Sequence, residues 1–290
     1  MGQMNDSELH KKSNSGIDSF IETAPNVKLY VKDYGQVKPV ILIHGWPLSN
    51  EMWEYYIDTL IQNNFRVIVY DRRGFGKSSQ PWDGYDYDTL TDDLKAIVEQ
   101  LNIKEAALVG FSMSGCKVVR YFSRHGGKGI SKAVLIASVN PFQLQTDSNR
   151  NGIPQEKYDT MAEQIKNDRI RFLDDFGKKF FGVNVISKTL STPLLHYYRM
   201  LCSFASPRAT IEFAISFSTT DFRSEMSVVN VPTLIIHGDE DKTVPIEITS
   251  EITAKLVPDN KFIVYEGAPH GLFYIEKDKL NKDLIEFINS

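Results

Sequence analysis

The sequence predicts an α/β fold: a mostly parallel, eight-stranded sheet flanked by helices, with an all-helical segment inserted before the last two strands. Three observations carry this expectation. Short apolar runs, of the kind that form strands buried on both faces, alternate with amphipathic helical stretches along most of the chain, the pattern of a doubly wound parallel sheet. Between residues 138 and 229 that alternation stops and only helical periodicity remains. Polar turns containing Gly45, Gly74, Gly238 and Gly267 close or follow strands, and ligands in such sheets bind beyond the strands' carboxyl ends.

Taken in order, residues 18–23 and 27–33 alternate in polarity and predict a half-exposed hairpin around Ala24-Pro25-Asn26. Residues 39–43 form a short apolar strand that runs into His44-Gly45-Trp46-Pro47. Glycine there permits a sharp turn that can aim the Trp46 N–H at a ligand. Helical spacing of Trp53, Ile57, Leu60 and Ile61 predicts a helix over 50–64, followed by a buried strand over 65–70. Asp71, just beyond it, is expected to anchor its turn by hydrogen bonds. A helix over 87–101, a strand over 106–109, a helix over 113–125 and a strand over 132–137 continue the alternation. Amphipathic stretches at 158–172, 190–203 and 209–217 then predict a helical cap over 138–229, rich in aromatic residues. Strands over 233–237 and 261–265, with helices over 246–256 and 281–288, complete a core made of 17–137 and 230–290.

Composition narrows the function. The formal net charge is −4 and the basic residues are scattered, which disfavours a nucleic-acid surface or an anionic membrane as partner. Residues 1–16 are polar and read as a flexible tail, and no run approaches the roughly 18 apolar residues of a membrane helix. The two cysteines lack C-x-x-C or Cys/His spacing, so neither a disulfide framework nor a metal site is expected. These features predict a cytoplasmic protein without a membrane span, and they leave homo-oligomer formation open.

The chemistry centres on Gly110-Phe111-Ser112-Met113-Ser114-Gly115. A serine in so tight a strand-to-helix bend is held in strained backbone geometry with its hydroxyl pushed out of the sheet edge, and the helix that follows offers free N–H groups. G-x-S-x-G alone is a weak string, since glycine and serine are common in turns; the strand before and the helix after supply its context. An alcohol needs a base within hydrogen-bond reach and an acid to orient that base. His270 is the best base, being in a loop past the last strand, whereas His125 and His196 sit in helical stretches and His44 and His237 at strand ends read as loop-fixing residues. For the acid, Asp239, Glu240 and Asp241 compete within one loop, and composition does not separate them.

From about Phe20 to Phe287 the chain resembles the cofactor-free haloperoxidases (chloroperoxidases, or perhydrolases) and aryl esterases of the α/β-hydrolase superfamily. HGWPLS (44–49), YDRRGFGKSSQPW (70–82), GFSMSG (110–115), RYFSRHG (120–126), FSTTDF (217–222), HGDEDKTVP (237–245) and GAPHG (267–271) carry the likeness. The resemblance implies Ser112 as nucleophile, Asp241 as acid, His270 as base, and the N–H groups of Trp46 and Met113 as the oxyanion hole. It also implies hydrolysis of small carboxylic esters without cofactor or metal, with hydrogen peroxide able to replace water and give a peracid from a carboxylic acid. Pro47 belongs to the haloperoxidase-type pattern and is expected beside the peroxide. Ser114 departs from the family, which usually carries glycine there. A small, mostly apolar pocket under the cap is expected, lined by Trp46, Pro47, Phe142, Val244 and Leu272. The alternatives are a hydrolase of another bond class (lactone, epoxide or C–C) or a non-catalytic binding member of the fold. Epoxide hydrolases and haloalkane dehalogenases carry aspartate where this chain has Ser112.

Overall fold

A computed structural model of the chain describes residues 17–183 and 190–290; the expected tail lies outside the described residues. Eight strands form one sheet: β1 (Ile17–Ala24), β2 (Val27–Tyr34), β3 (Lys38–Ile43), β4 (Phe65–Tyr70), β5 (Ala106–Phe111), β6 (Ile130–Ile136), β7 (Thr233–Gly238) and β8 (Asn260–Tyr265). Their spatial order is β1-β2-β4-β3-β5-β6-β7-β8. β2 runs antiparallel to both β1 and β4, and all other pairings are parallel. Because side chains alternate across a strand, the inner strands feed two cores at once. Ile41, Ile43, Ile68 and Leu108 join the apolar cluster on one face, while Val40, Leu42, Val67 and Val109 join that on the other. Strands buried on both faces must be apolar throughout, and this is why β5 reads as an unbroken run.

The helices that cover the sheet begin and end where local chemistry stops them. α1 (Glu54–Gln62) follows a 3-10 turn over Asn50–Trp53, so the single helix expected over 50–64 is divided. α2 (Tyr87–Gln100) is capped by Asp86, whose side chain accepts from the Thr89 N–H. α3 (Met113–His125) stops at Gly126, which takes the left-handed conformation at φ 62°. Beyond β7, the helix expected over 246–256 breaks at Thr249 (φ −127°, ψ −93°) into a 3-10 turn, Ile246–Ile248, and α7 (Ser250–Leu256).

Between β6 and β7 lie α4 (Gln155–Phe180), α5 (Thr192–Ser203) and α6 (Pro207–Thr219). Ser191 and Ser206 cap α5 and α6, each just ahead of a proline in the first turn. α4 runs beyond the expected 158–172 and is kinked at Asp168 (φ −152°, ψ 83°). The Asp168 carboxylate accepts from the Arg171 N–H at 3.0 Å, capping the second half of the helix as if it began anew. The chain ends with the short α8 (Leu272–Ile275) and α9 (Lys277–Asn289), which begins earlier than expected. No helix among the described residues is long and apolar enough to cross a membrane.

Candidate active site

Ser112 sits between β5 and α3 at φ 56°, ψ −123°, a conformation that costs a non-glycine residue energy and survives only where packing enforces it. Enforcement is visible next door. A Cβ on Gly110 would come within 2.5 Å of the Ser114 carbonyl oxygen, so glycine lets the helix fold back against its own strand. The bend presents Ser112 Oγ to His270 Nε2 at 3.0 Å. On the far side of the ring, His270 Nδ1 meets Asp241 Oδ2 at 2.5 Å. Phe111 and Phe180 flank the imidazole, with ring centroids 5.1 and 4.7 Å away. All three polar residues are buried.

The turn after β7 shapes the surroundings of Asp241. Asp241 Oδ1 accepts from the N–H groups of Thr243 (2.8 Å) and Val244 (2.7 Å). Burial alone would push its carboxyl up, yet His270 and the hydrogen-bonded His237 beside it hold it well below the usual carboxylate range. The competitors in the loop are occupied elsewhere: Asp239 accepts from the Gly267 N–H at 2.6 Å and Glu240 pairs with Lys242 at 2.8 Å. Asp71 holds its turn, as expected, by accepting from Asn50 and from the Lys77 N–H.

Trp46 and Met113 stand at the ends of β3 and β5, adjacent strands. Neither backbone N–H finds an acceptor among the described residues, and Met113 opens a helix, where the first N–H groups have no partner within the helix. A Cβ on Gly45 would strike the Phe111 ring at 2.5 Å, so this loop can lie close to the serine only with glycine there. The Trp46 indole reaches up to the helical insertion, donating to the Thr210 carbonyl at 3.0 Å. The departure at Ser114 has a physical account. Its buried hydroxyl donates to the His44 carbonyl (2.7 Å) and accepts from Arg72 Nη1 (3.1 Å), bracing the Gly45-Trp46 loop against the elbow helix.

A cavity of about 690 Å³ opens beside Ser112 and His270. The apolar part of its wall comes from Trp46, Met113, Val139, Phe172, Phe176, Phe217 and Val244. α4 also contributes Lys157, Gln164, Asn167, Asp168, Arg171 and Lys179; the lining is still mostly apolar, but the cavity is larger than the small pocket expected. Three of the expected wall residues do not line it. Pro47 is buried away from it; Phe142 lies buried under the Arg223 guanidinium, 5.0 Å from the ring centre; Leu272, the first residue of α8, packs into the sheet's core. Phe172 and Phe176 of α4 and Phe217 of α6 line it instead, together with Val139 from the loop after β6. Among the described residues, no three His, Cys, Asp or Glu side chains converge to hold a metal ion.

A Ser–His–Asp relay at the carboxyl ends of β5, β7 and β8, with two unspent N–H groups beside it, is the equipment of acyl transfer. A family model for the alpha/beta hydrolase fold matches residues 38–277. The chain belongs to the α/β-hydrolase fold family. Within it, this α/β-hydrolase is 37% identical to the bifunctional esterase/perhydrolase DCH of Acinetobacter calcoaceticus, over 93% of this chain and 99% of that protein. It is 34% identical to the non-heme chloroperoxidase CPO-A1 of Kitasatospora aureofaciens, over 92% and 98% of the two chains. Among solved structures, the bromoperoxidase of Bacillus anthracis is similar at TM-score 0.91 and 40% identity, covering 94% of this chain and 100% of that one. An esterase of Exiguobacterium antarcticum is similar at TM-score 0.90 and 34% identity, with the same coverage. The resemblance read from the motifs therefore points to the right family.

The sequence reading missed two things. His237 contacts the Asp241 carboxylate at 3.1 Å, and Ser114, noted as a departure, is a brace. Spacing held a signal for the first: His237 and Asp241 stand four positions apart across a turn.

Proposed function

We propose that this α/β-hydrolase cleaves small carboxylic esters, aryl esters included, through an acyl-enzyme on Ser112, and that hydrogen peroxide can take the place of water in the second half-reaction. The observation that carries the reading is the continuous relay from Ser112 Oγ through His270 to Asp241. Asp241 fixes His270 with hydrogen on Nδ1, so Nε2 is free to take the Ser112 proton as Oγ attacks the ester carbonyl. The oxyanion forms between the N–H groups of Trp46 and Met113. His270 then protonates the departing alkoxide or phenoxide. Water attacks the acyl-enzyme with His270 as base, releasing acid and restoring Ser112; attack by hydrogen peroxide releases a peracid instead. A peracid oxidises halide in solution, so the proposed route calls for no cofactor. The names of the relatives, an esterase/perhydrolase and a non-heme chloroperoxidase, support the peroxide branch.

In this reading residues 138–229 are a cap that walls the substrate cavity. Two free, buried cysteines, Cys116 and Cys202, fit a reducing, cytoplasmic setting. The substrate is a small molecule rather than a nucleic acid or lipid surface. The test is turnover of p-nitrophenyl acetate by wild type and Ser112→Ala, with a p-nitrophenyl phosphonate to trap the nucleophile. Labelling at any residue other than Ser112 would overturn the reading.

A further inference from the structure

We infer that His237, backed by Ser250, is a positioning residue for the reaction: its Nε2–H holds Asp241 Oδ2 where that oxygen can orient His270. This rests on the acyl-transfer reading of the same site.

His237 is the fifth residue of β7 and is completely buried. Its Nε2 lies 3.1 Å from Asp241 Oδ2 and 2.9 Å from the Val244 carbonyl oxygen. A carbonyl cannot donate, and neither can a carboxylate held ionised, so the hydrogen between them belongs to Nε2. From the other side of the ring, Ser250 Oγ approaches Nδ1 at 2.6 Å. Ser250 is placed there by the break at Thr249, whose hydroxyl donates to the Pro245 carbonyl at 2.7 Å.

The result is a carboxylate with donors on both oxygens: Thr243 and Val244 N–H on Oδ1, His237 and His270 on Oδ2. With His270 alone on Oδ2, only the two backbone donors on Oδ1 would resist rotation about the Cβ–Cγ bond as the charge of the imidazole changes. With His237 fixed by Val244 and Ser250, the carboxylate plane is set before substrate arrives, and His270 aligns to it. Preorganisation of this kind acts on the chemical step rather than on substrate binding. No bond is made or broken at His237.

The experiment compares His237→Gln, His237→Asn and His237→Leu with wild type on p-nitrophenyl acetate. A glutamine amide nitrogen reaches about as far from the backbone as Nε2, an asparagine amide only as far as Nδ1. Gln is expected to keep kcat within about tenfold of wild type, whereas Asn and Leu lose roughly ten- to hundredfold in kcat with KM within about twofold. The low-field proton resonance of His270 Nδ1–H should shift in Asn and Leu and stay near the wild-type position in Gln. Equal losses in Asn and Gln that follow their thermal midpoints, or a rise in KM at unchanged kcat, would overturn the inference. Should Asn and Leu not fold, 15N spectra of wild-type histidines decide it: His237 must carry hydrogen on Nε2, and a bare Nε2 refutes the assignment. Absence of wild-type esterase turnover and of Ser112 labelling would instead remove the acyl-transfer reading itself.

Discussion

Replacing Asp241 by asparagine isolates what the proposed acid does. The carboxylate accepts four hydrogen bonds in the structure, from Thr243, Val244, His237 and His270, and donates none. An asparagine has one acceptor oxygen and one NH2, so in either orientation the NH2 faces two N–H donors. Turned toward Thr243 and Val244, it strands two backbone donors, the buried one on Val244 at about 1–3 kcal/mol and the half-buried one on Thr243 at less. Turned toward the histidines, it forces His270 to put its hydrogen on Nε2, facing Ser112 Oγ, where it can no longer take the serine proton. A triad locked in the wrong tautomer loses about 10⁴-fold in kcat, and that is the loss expected for Asp241→Asn with p-nitrophenyl acetate. Asp239→Asn, altering an exposed side chain that accepts from Gly267, is expected to change kcat by less than about tenfold. Thermal unfolding of both variants separates folding loss from catalytic loss. If Asp239→Asn proves the more damaging, or if folded Asp241→Asn keeps more than about a tenth of wild-type kcat, the assignment of the acid is wrong.

Other expectations follow from the same geometry. Ser112→Ala should abolish ester hydrolysis and perhydrolysis together while leaving the thermal midpoint nearly unchanged, because both need the same acyl intermediate; bromination of monochlorodimedone persisting in the variant would separate the two activities. Ser114→Gly restores the usual family residue but removes a hydroxyl shared by His44 and Arg72, so denaturant unfolding should show a loss of about 1–3 kcal/mol, with kcat reduced severalfold. Across p-nitrophenyl esters, rates should fall once the acyl chain extends past Trp46, Phe172, Phe176 and Phe217 toward the polar wall of α4; a maximum at long acyl chains would count against the cavity reading. Burial pushes the Cys202 thiol up to about 12 and the Cys116 thiol higher still. Native protein should therefore stay active and unlabelled in iodoacetamide near neutral pH, and rapid loss of activity would contradict that burial.

The sequence by itself determined the strand ladder and the elbow and singled out His270 as the proposed base, because each is written in local pattern. A strand buried on both faces has to be apolar, a serine in a strand-to-helix bend needs small neighbours, and His270 alone among the histidines lies in a loop after the last strand. Family resemblance chose Asp241 over Asp239 and Glu240, which lie two and one positions away; only the folded turn explains the choice, by spending Asp239 on Gly267 and aiming Asp241 at His270. Tertiary structure also decided the pocket. Phe142 and Leu272 look like wall residues in a list of apolar positions, yet packing sends one beneath Arg223 and the other into the sheet core. Whether an apolar side chain faces a cavity or a core depends on how α4 and α6 lie across the sheet, and periodicity within one helix carries no information about its neighbour. The same holds for Ser114 and His237. Their partners, His44 with Arg72 and Asp241 with Ser250, include residues that meet only because parallel strands bring their carboxyl ends together.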